Sequence, residues 1–197
     1  MSRESPPLSV RPVNPVDPLT ARVLREIDRV ARQQDCSYFV AGATARDLVL
    51  VHVFGLRPGR ATRDIDFGFA VEDWRQFERF KKDLTATGQF RAHPHALQRL
   101  LFQSSESVEI PVDLIPFGGV TLADNTIAWP PHRDVVMNVS GFEEALASSV
   151  AIALDSDLTV RVASIPGLAV LKLVAWSDRG KTTNKDAADL YRLIDSY

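Results

Sequence analysis

The stretch ATRDIDFGFA, residues 61–70, decides the fold because it places two aspartates inside an apolar segment with the composition of a β-strand. Charged residues are scarce inside strands, since removing a carboxylate from water is costly. Two interpretations of Asp64 and Asp66 are open at this point. They belong either to the solvated face of an exposed strand or to a pair of carboxylates directed at one cation.

Strand geometry puts the two carboxylates on the same side of the sheet. Side chains two residues apart in a strand share a face and lie about 6.6 Å apart, at ~3.3 Å per residue. Ile65 and Phe67 then point to the opposite, apolar face, and Gly68 is expected to leave space beside the carboxylates. Paired carboxylates facing open space are a usual way to hold Mg²⁺, which prefers oxygen ligands and commonly arrives with substrate phosphates.

A third acidic residue lies in a second strand-like segment, SVEIPVDLIPF. Asp113 is flanked there by apolar residues on both sides. Glu109, four residues away on the same strand face, is the competing candidate, and we prefer Asp113 because its apolar flanks are tighter. A third carboxylate on a neighbouring strand would complete a site for one or two metal ions, an arrangement that serves phosphoryl transfer.

The composition is that of an ordinary globular protein, with 197 residues, 45% of them hydrophobic and 24% charged, which is enough for one domain with a proper core. The net charge of −2 gives no global attraction to nucleic acid, so such a contact must come from a local patch. The single cysteine, Cys36, excludes an internal disulfide and suggests a reducing compartment. The sequence has no apolar stretch of about 20 residues and no apolar N-terminal signal core, so we expect a cytoplasmic protein without membrane contact.

The order of predicted elements is helix, strand, helix, strand, helix, strands and helices. This order predicts an α/β or α+β fold in which a mixed β-sheet is flanked by helices. The proline-rich residues 1–18 predict an extended arm. Residues 19–164 are expected to form the core, and residues 165–197 a helical C-terminal segment packed on it.

The segment VAGATARDL, residues 40–48, has the pattern of a strand that runs through Gly42 into a helix. Backbone N–H groups of residues 43–45 would be free at that helix N-terminus, and the glycine before them permits close approach of a phosphate. Thr44 could add a hydroxyl. An ordinary strand-to-helix turn has the same pattern, but a phosphate cradle followed by paired carboxylates on the next strand is more specific than either feature.

Together these motifs resemble the nucleotidyltransferase fold of the DNA polymerase β superfamily. Within it they are most similar to AbiEii-type nucleotidyltransferases, toxin-like proteins of bacterial abortive infection and type IV toxin–antitoxin systems. The matching pieces cover most of residues 38–195 and are GATARDLVL, RATRDIDFGF, VDLIPFGG and LAVLKLVAWSDRGKTTNKDAADLYRLI. Ala43 departs from the Gly or Ser usual in the superfamily, which removes a possible side-chain contact to phosphate and leaves the backbone donors.

The resemblance also implies roles for the C-terminal segment. A helix lysine corresponding to Lys172 is thought in that family to contact the nucleotide triphosphate. Asp186 and Asp189 lie three residues apart on one predicted helix and share a face, so they could pair with Lys172 or with Arg179. For Asp189, a place on a charged surface is an equally open interpretation.

The activity implied by the resemblance is Mg²⁺-dependent transfer of a nucleoside monophosphate from an NTP to an acceptor. Asp64, Asp66 and Asp113 would hold a two-ion site, and Asp113 would help to receive the acceptor's proton. The expected acceptor is RNA, in particular a tRNA 3′ end, or a protein hydroxyl, and a cognate antitoxin protein is a candidate partner. The residues expected to contact the nucleotide are Gly42, Ala43, Thr44, Arg46, Arg63 and Lys172.

Two alternatives for the function stay open. One is a nucleotide- or partner-binding module that kept the fold and lost turnover, which Ala43 and the short C-terminus favour. The other is a small-molecule adenylyltransferase. Five arginines could form a basic rim for a nucleic-acid backbone, or they could be a scattered solvated set, namely Arg57, Arg60, Arg63, Arg91 and Arg99.

Overall fold

The computed structural model describes residues 6–57, 63–104, 108–179 and 185–195. Six α-helices lie in these ranges: α1 Pro18–Gln33, α2 Gly42–Asp47, α3 Trp74–Ala86, α4 Phe142–Ala147, α5 Ile165–Arg179 and α6 Lys185–Asp195. The residue after α2 keeps right-handed helical backbone angles, and the helix continues as a π-helical stretch, Leu48–Val53. The sequence predicted a helix after Gly42, and the structure divides the helix there into an α-helical and a π-helical part.

The strands of the described residues are β1 Leu8–Ser9, β2 Ser37–Ala41, β3 Ile65–Val71, β4 Phe90–Ala92, β5 Arg99–Gln103, β6 Glu109–Gly118, β7 Thr126–Ala128, β8 Val136–Asn138, β9 Val150–Ala153 and β10 Thr159–Val162. Eight of them form one sheet in the order β1-β9-β10-β2-β3-β6-β5-β4. Three neighbouring pairs are parallel (β1 with β9, β10 with β2, β3 with β6) and the others are antiparallel. The predicted mixed sheet is therefore confirmed.

Alternation along β2 and β3 sends aromatic side chains to both faces of this sheet. On one face Phe67 and Phe69 pack with Tyr38 and with Phe80 of α3. Helix α1 covers the same face, where its Asp28 Oδ1 accepts a hydrogen bond from the Tyr38 hydroxyl at 2.9 Å. Burial of such large rings is the main favourable contribution to folding on this side.

The other face is covered by the short helix α4. Phe142 at its start packs against Phe39 of β2 and Phe117 of β6. Helix α5 packs on α4 and α2, and α6 packs on α5. The C-terminal helices thus lie on the same side as α4, and the boundary at residues 164 and 165 stays a prediction.

Three strands of the structure were not expected from the sequence. Strands β7 and β8 form a separate antiparallel pair, with Ile127 opposite Met137. Strand β1 lies inside the proline-rich arm and pairs in parallel with β9, which joins this part of the arm to the sheet edge. Among the residues that the structure describes, none of the helices is both long enough and apolar enough to cross a membrane.

Candidate active site

One row of residues crosses the centre of the sheet and builds the site. Asp66 on β3 lies opposite Ala41 on one side and opposite Asp113 of β6 on the other. Asp113 in turn lies opposite Arg99 of β5. Residues opposite one another on paired strands share a face of the sheet. The strand order therefore brings two carboxylates and a guanidinium together from segments far apart in the sequence.

Asp64 completes a cluster of three carboxylates. It directly precedes β3, and one oxygen from each of Asp64, Asp66 and Asp113 lies within 4.8 Å of the others. The Asp113 side chain is only 14% exposed. Hard oxygen donors at this spacing suit a divalent cation such as Mg²⁺. The structure brings together the three aspartates chosen from the sequence, and their role as metal ligands stays a prediction.

The rejected candidate Glu109 lies elsewhere on β6. It is opposite Gln103 and forms an ion pair with Arg91, with Arg91 Nη2 2.6 Å from Glu109 Oε1. The hydrogen bond from Arg91 is the main reason that the pKa of Glu109 is lowered from its ordinary value. The choice of Asp113 over Glu109 agrees with this geometry.

The expectation that Gly68 leaves space beside the carboxylates is wrong. A Cβ atom at this position would collide with the ring of Phe39 and lie 3.1 Å from the ring of Phe142. The space is filled because α4, distant in sequence, brings Phe142 onto this face. The glycine is needed for packing of the two rings and not for access of a ligand.

Gly42 contacts the carboxylate cluster directly. Its φ of +62° lies in the left-handed region, and a Cβ atom there would collide with the Asp66 carboxylate. Only glycine meets both conditions without strain. The sequence predicted that the glycine permits close approach of a phosphate, and the structure shows that it also gives room to the Asp66 carboxylate.

The other residues expected around the nucleotide lie on α2 or before β3. Thr44 Oγ1 donates to the backbone carbonyl of Asp64 at 3.5 Å, which connects α2 to the cluster. Arg46 is buried and its guanidinium pairs with Asp47 at 2.9 Å, whereas Arg63 is exposed. Ala43 lines a small cavity between α2 and the C-terminal helices together with Gly42 and Arg46.

Lys172 of α5 is held by two carboxylates of α6. Its Nζ lies 3.1 Å from Asp186 Oδ1 and 2.8 Å from Asp189 Oδ2. The Asp186 side chain is completely buried, and that of Asp189 is 15% exposed. Of the two partners that the sequence left open for these aspartates, Lys172 pairs with both. The side chain of Arg179, the other cation considered, lies outside the described residues.

A cleft of about 450 Å³ connects these groups. Gly42, Asp66, Asp113 and Lys172 line its polar part. The rest of its wall is mainly apolar and comes from α4, α5 and the β7–β8 pair, with Met137, Phe142, Leu168, Leu171 and Ala175. Asn138 of β8, Asp178 of α5 and Asp186 of α6 also line it. A cleft that combines apolar walls with a small number of polar and charged groups is typical of small-molecule sites.

Arg99 is a site residue whose position the sequence did not predict. The sequence left open whether Arg99 belongs to a basic rim or to a scattered solvated set, and in the structure its Nε and Nη2 donate to Asp113 Oδ1 and Oδ2, both at 2.7 Å. Arg91 is also paired, with Glu109, whereas Arg57 is exposed and Arg60 lies outside the described residues. The one signal in the sequence was an arginine at the start of an otherwise apolar strand. That signal could not identify Asp113 as the partner, because the partner depends on which strand lies next to β5.

The three carboxylates of the cluster raise the pKa of Arg99. Hydrogen bonds to Asp113 raise the pKa of Arg99, and the charges of Asp113, Asp64 and Asp66 act in the same direction against the opposite effect of burial. Since arginine is protonated at all ordinary pH values, the guanidinium is a permanent positive charge beside three carboxylates.

Solved structures with the same fold are nucleotidyltransferases. The antibiotic-resistance factor ANT(2'')-Ia matches with a TM-score of 0.52 and 15% identity over 90% of this chain and 83% of that protein. The lincosamide antibiotic adenylyltransferase LnuA, with lincomycin bound, matches with a TM-score of 0.50 and 15% identity over 93% and 99% of the two chains. An antigenic nucleotidyltransferase-like protein from Paracoccidioides brasiliensis matches with a TM-score of 0.57 and 16% identity over 88% of this chain and 74% of that protein. At these identities the likeness establishes the fold.

The sequence places the chain in one family of this class. The family described as nucleotidyl transferase AbiEii toxin of type IV toxin–antitoxin systems matches residues 22–197. The chain belongs to the AbiEii nucleotidyltransferase family and is an enzyme of the nucleotidyltransferase class. No curated protein matches the sequence significantly. The resemblance seen in the sequence motifs is confirmed.

Proposed function

We propose that the protein transfers a nucleoside monophosphate from an NTP to an acceptor hydroxyl in a Mg²⁺-dependent reaction. The observation that carries this proposal is the cluster of Asp64, Asp66 and Asp113, of which Asp66 and Asp113 line the cleft. Three oxygen ligands from two adjacent strands fit a divalent cation, since hard cations prefer carboxylates. When bound, the metal would neutralise triphosphate charge and activate the attacking hydroxyl.

The protein's own groups would bind and orient the nucleotide. Lys172 reaches the cleft with its charge fixed by two aspartates, which limits the freedom of its ammonium group. Backbone N–H groups of residues 43–45 at the start of α2 are the proposed donors to the phosphates. Arg63, which is exposed and directly precedes Asp64, is the proposed additional cation. Phosphoryl transfer depends mostly on positioning and electrostatic stabilisation, which such fixed charges supply.

The proposed acceptor is RNA, in particular a tRNA 3′ end, or a protein hydroxyl, and the proposed partner is a cognate antitoxin. Membership of a toxin family supports this choice over a metabolic substrate. A small-molecule acceptor is the second candidate, because the fold is shared with two proteins named for antibiotic resistance or antibiotic adenylylation.

The test is a labelling experiment with four α-labelled NTPs, Mg²⁺ and a bacterial extract, in which each sample is divided between RNase and protease. Asp64→Asn should fold and transfer no label. Asp157→Asn, an exposed residue of the β9–β10 turn, is the matched control and should label like the wild type. Parallel reactions replace the extract with lincomycin or tobramycin.

The outcome separates the candidates. Label that is lost with RNase identifies an RNA acceptor, and label that is lost with protease identifies a protein. Labelled antibiotic would support the small-molecule reaction instead. Binding of NTP without any transfer would favour a module that has lost turnover. Full labelling by Asp64→Asn would reject the assignment of the metal site.

A further inference from the structure

Arg99 occupies both oxygens of one carboxylate in the proposed metal site. The two N–H donors meet Asp113 Oδ1 and Oδ2 at 2.7 Å, a bidentate geometry that is among the strongest hydrogen-bonded ion pairs in proteins. The pair is largely enclosed, since the Asp113 and Arg99 side chains are 14% and 30% exposed. Screening by water and salt is therefore weaker than for a surface pair.

The guanidinium acts on more than its direct partner. It holds Asp113, and one oxygen from each of Asp113, Asp64 and Asp66 lies within 4.8 Å of the others, so the guanidinium lies close to all three carboxylates. A divalent cation bound by the same cluster would meet this charge at close range. Attraction of the metal by three carboxylates and repulsion by one arginine oppose each other.

We propose that Arg99 is an internal counter-cation that holds Asp113 when no metal is bound, so that a divalent metal must compete with it for this carboxylate. The inference rests on the proposed function, because it takes Asp64, Asp66 and Asp113 as the metal ligands. It assigns to Arg99 a positioning role that lowers metal affinity and keeps Asp113 fixed on β6. Arg99 acts through Asp113, the proposed metal ligand that its guanidinium contacts.

The experiment is a titration of the full chain with Mn²⁺, with free Mn²⁺ measured by electron paramagnetic resonance. Arg99→Gln removes the charge, and we expect about tenfold tighter Mn²⁺ binding. Arg99→Lys keeps the charge but loses the bidentate contact, so its binding should stay within about threefold of the wild type. Arg91→Gln is the matched control, because it removes an arginine that pairs with a carboxylate of the same strand away from the cluster.

A second background ties the effect to Asp113. In Asp113→Asn the carboxylate that Arg99 occupies is gone and only the repulsion between the guanidinium and the metal remains, so the gain from Arg99→Gln should be smaller than in the wild type. Circular dichroism at the titration temperature checks that each variant is folded. If Arg99→Gln does not fold, two other comparisons replace it. One compares Mn²⁺ binding by the double variant Arg99→Ala, Asp113→Asn with binding by Asp113→Asn alone. The other compares Arg99→Lys with the wild type.

The results distinguish this inference from the proposed function. The counter-cation role of Arg99 is overturned if folded Arg99→Gln binds Mn²⁺ no more tightly than the wild type. It is also overturned if Arg91→Gln tightens Mn²⁺ binding as much as Arg99→Gln does, or if Arg99→Gln gives the same gain in the Asp113→Asn background as in the wild type. In those cases wild-type binding that is lost in Asp64→Asn still upholds the metal site. Wild-type binding that is unchanged in Asp64→Asn overturns the metal site and the inference together.

Discussion

At Gly42 both the backbone conformation and the geometry of the site require glycine. Gly42→Ala is expected to reduce stability by about 1–2 kcal/mol, because alanine is strained at positive φ. It should also abolish nucleotidyl transfer, because the new Cβ atom would displace the Asp66 carboxylate. Urea unfolding and the labelling assay measure the two effects.

Gly88 provides the control for that substitution. Its φ is +75°, but a Cβ atom there would have no neighbour within 4 Å. Gly88→Ala should therefore cost a similar amount of stability and leave transfer intact. Equal activity of the two alanine variants would contradict the contact between Gly42 and Asp66.

Cys36 offers a residue-level test by pH. Burial raises the pKa of its thiol from 9.0 to about 11, and the charge of Asp35 adds to the effect. Between these values the unfolded chain loses the proton first, so the stability from this group is complete below about pH 9 and is lost as the pH rises towards 11. The free energy of unfolding of the wild type should approach that of Cys36→Ala over this range. Two curves that stay parallel would show that Cys36 is not protected in the folded state.

At the scale of elements, the contact between α5 and α6 depends on Lys172 and its two aspartates. Asp186 is completely buried and Asp189 is not, so loss of the first charge should be the more harmful. We expect Asp186→Asn to reduce the free energy of unfolding by roughly 3 kcal/mol and Asp189→Asn by about 1 kcal/mol.

A double-mutant cycle identifies the source of this difference. In the Lys172→Met background neither aspartate has the lysine as its partner, so the effects of both substitutions should change. Unfolding in urea provides the energies. Purely additive effects would mean that α6 is held by other contacts, and equal losses for the two aspartates would contradict their different burial.

At the scale of the whole molecule, the sequence predicted what depends on local pattern. Alternation around Asp64 and Asp66 and the apolar flanks of Asp113 are visible in short segments, and a parallel pair of strands brings them together. The bidentate pair of Arg99 with Asp113 depends on β5 lying next to β6, which no local pattern specifies. The space beside Gly68 was predicted wrongly for the same reason, because Phe142 fills it from a distant helix.

The N-terminal arm shows the same dependence on long-range pairing and leads to a further prediction. Beyond the pairing of β1 with β9, Val10 N donates to Ala153 O at 3.0 Å and Arg11 N to His52 O at 2.8 Å. Asn14 Nδ2 adds a bond to Val51 O at 3.2 Å. Since each such bond contributes about 1 kcal/mol net, removal of residues 1–16 should cost a few kcal/mol of stability.

The same truncation should leave the site intact, because β9, β10 and β2 separate β1 from β3 in the sheet. The midpoint of urea unfolding should therefore shift to a lower urea concentration. The affinity for Mn²⁺, measured at the same temperature as for the wild type, should stay unchanged. The exposed edge of β9 should also make the truncated protein more prone to association, which light scattering measures. Asn14→Ala in the full chain, which loses one bond and keeps β1, should show a loss of about 1 kcal/mol and no association. If the truncated chain unfolds at the wild-type urea concentration, the arm contributes nothing to the fold, and the strand pairing of residues 8 and 9 carries no stability.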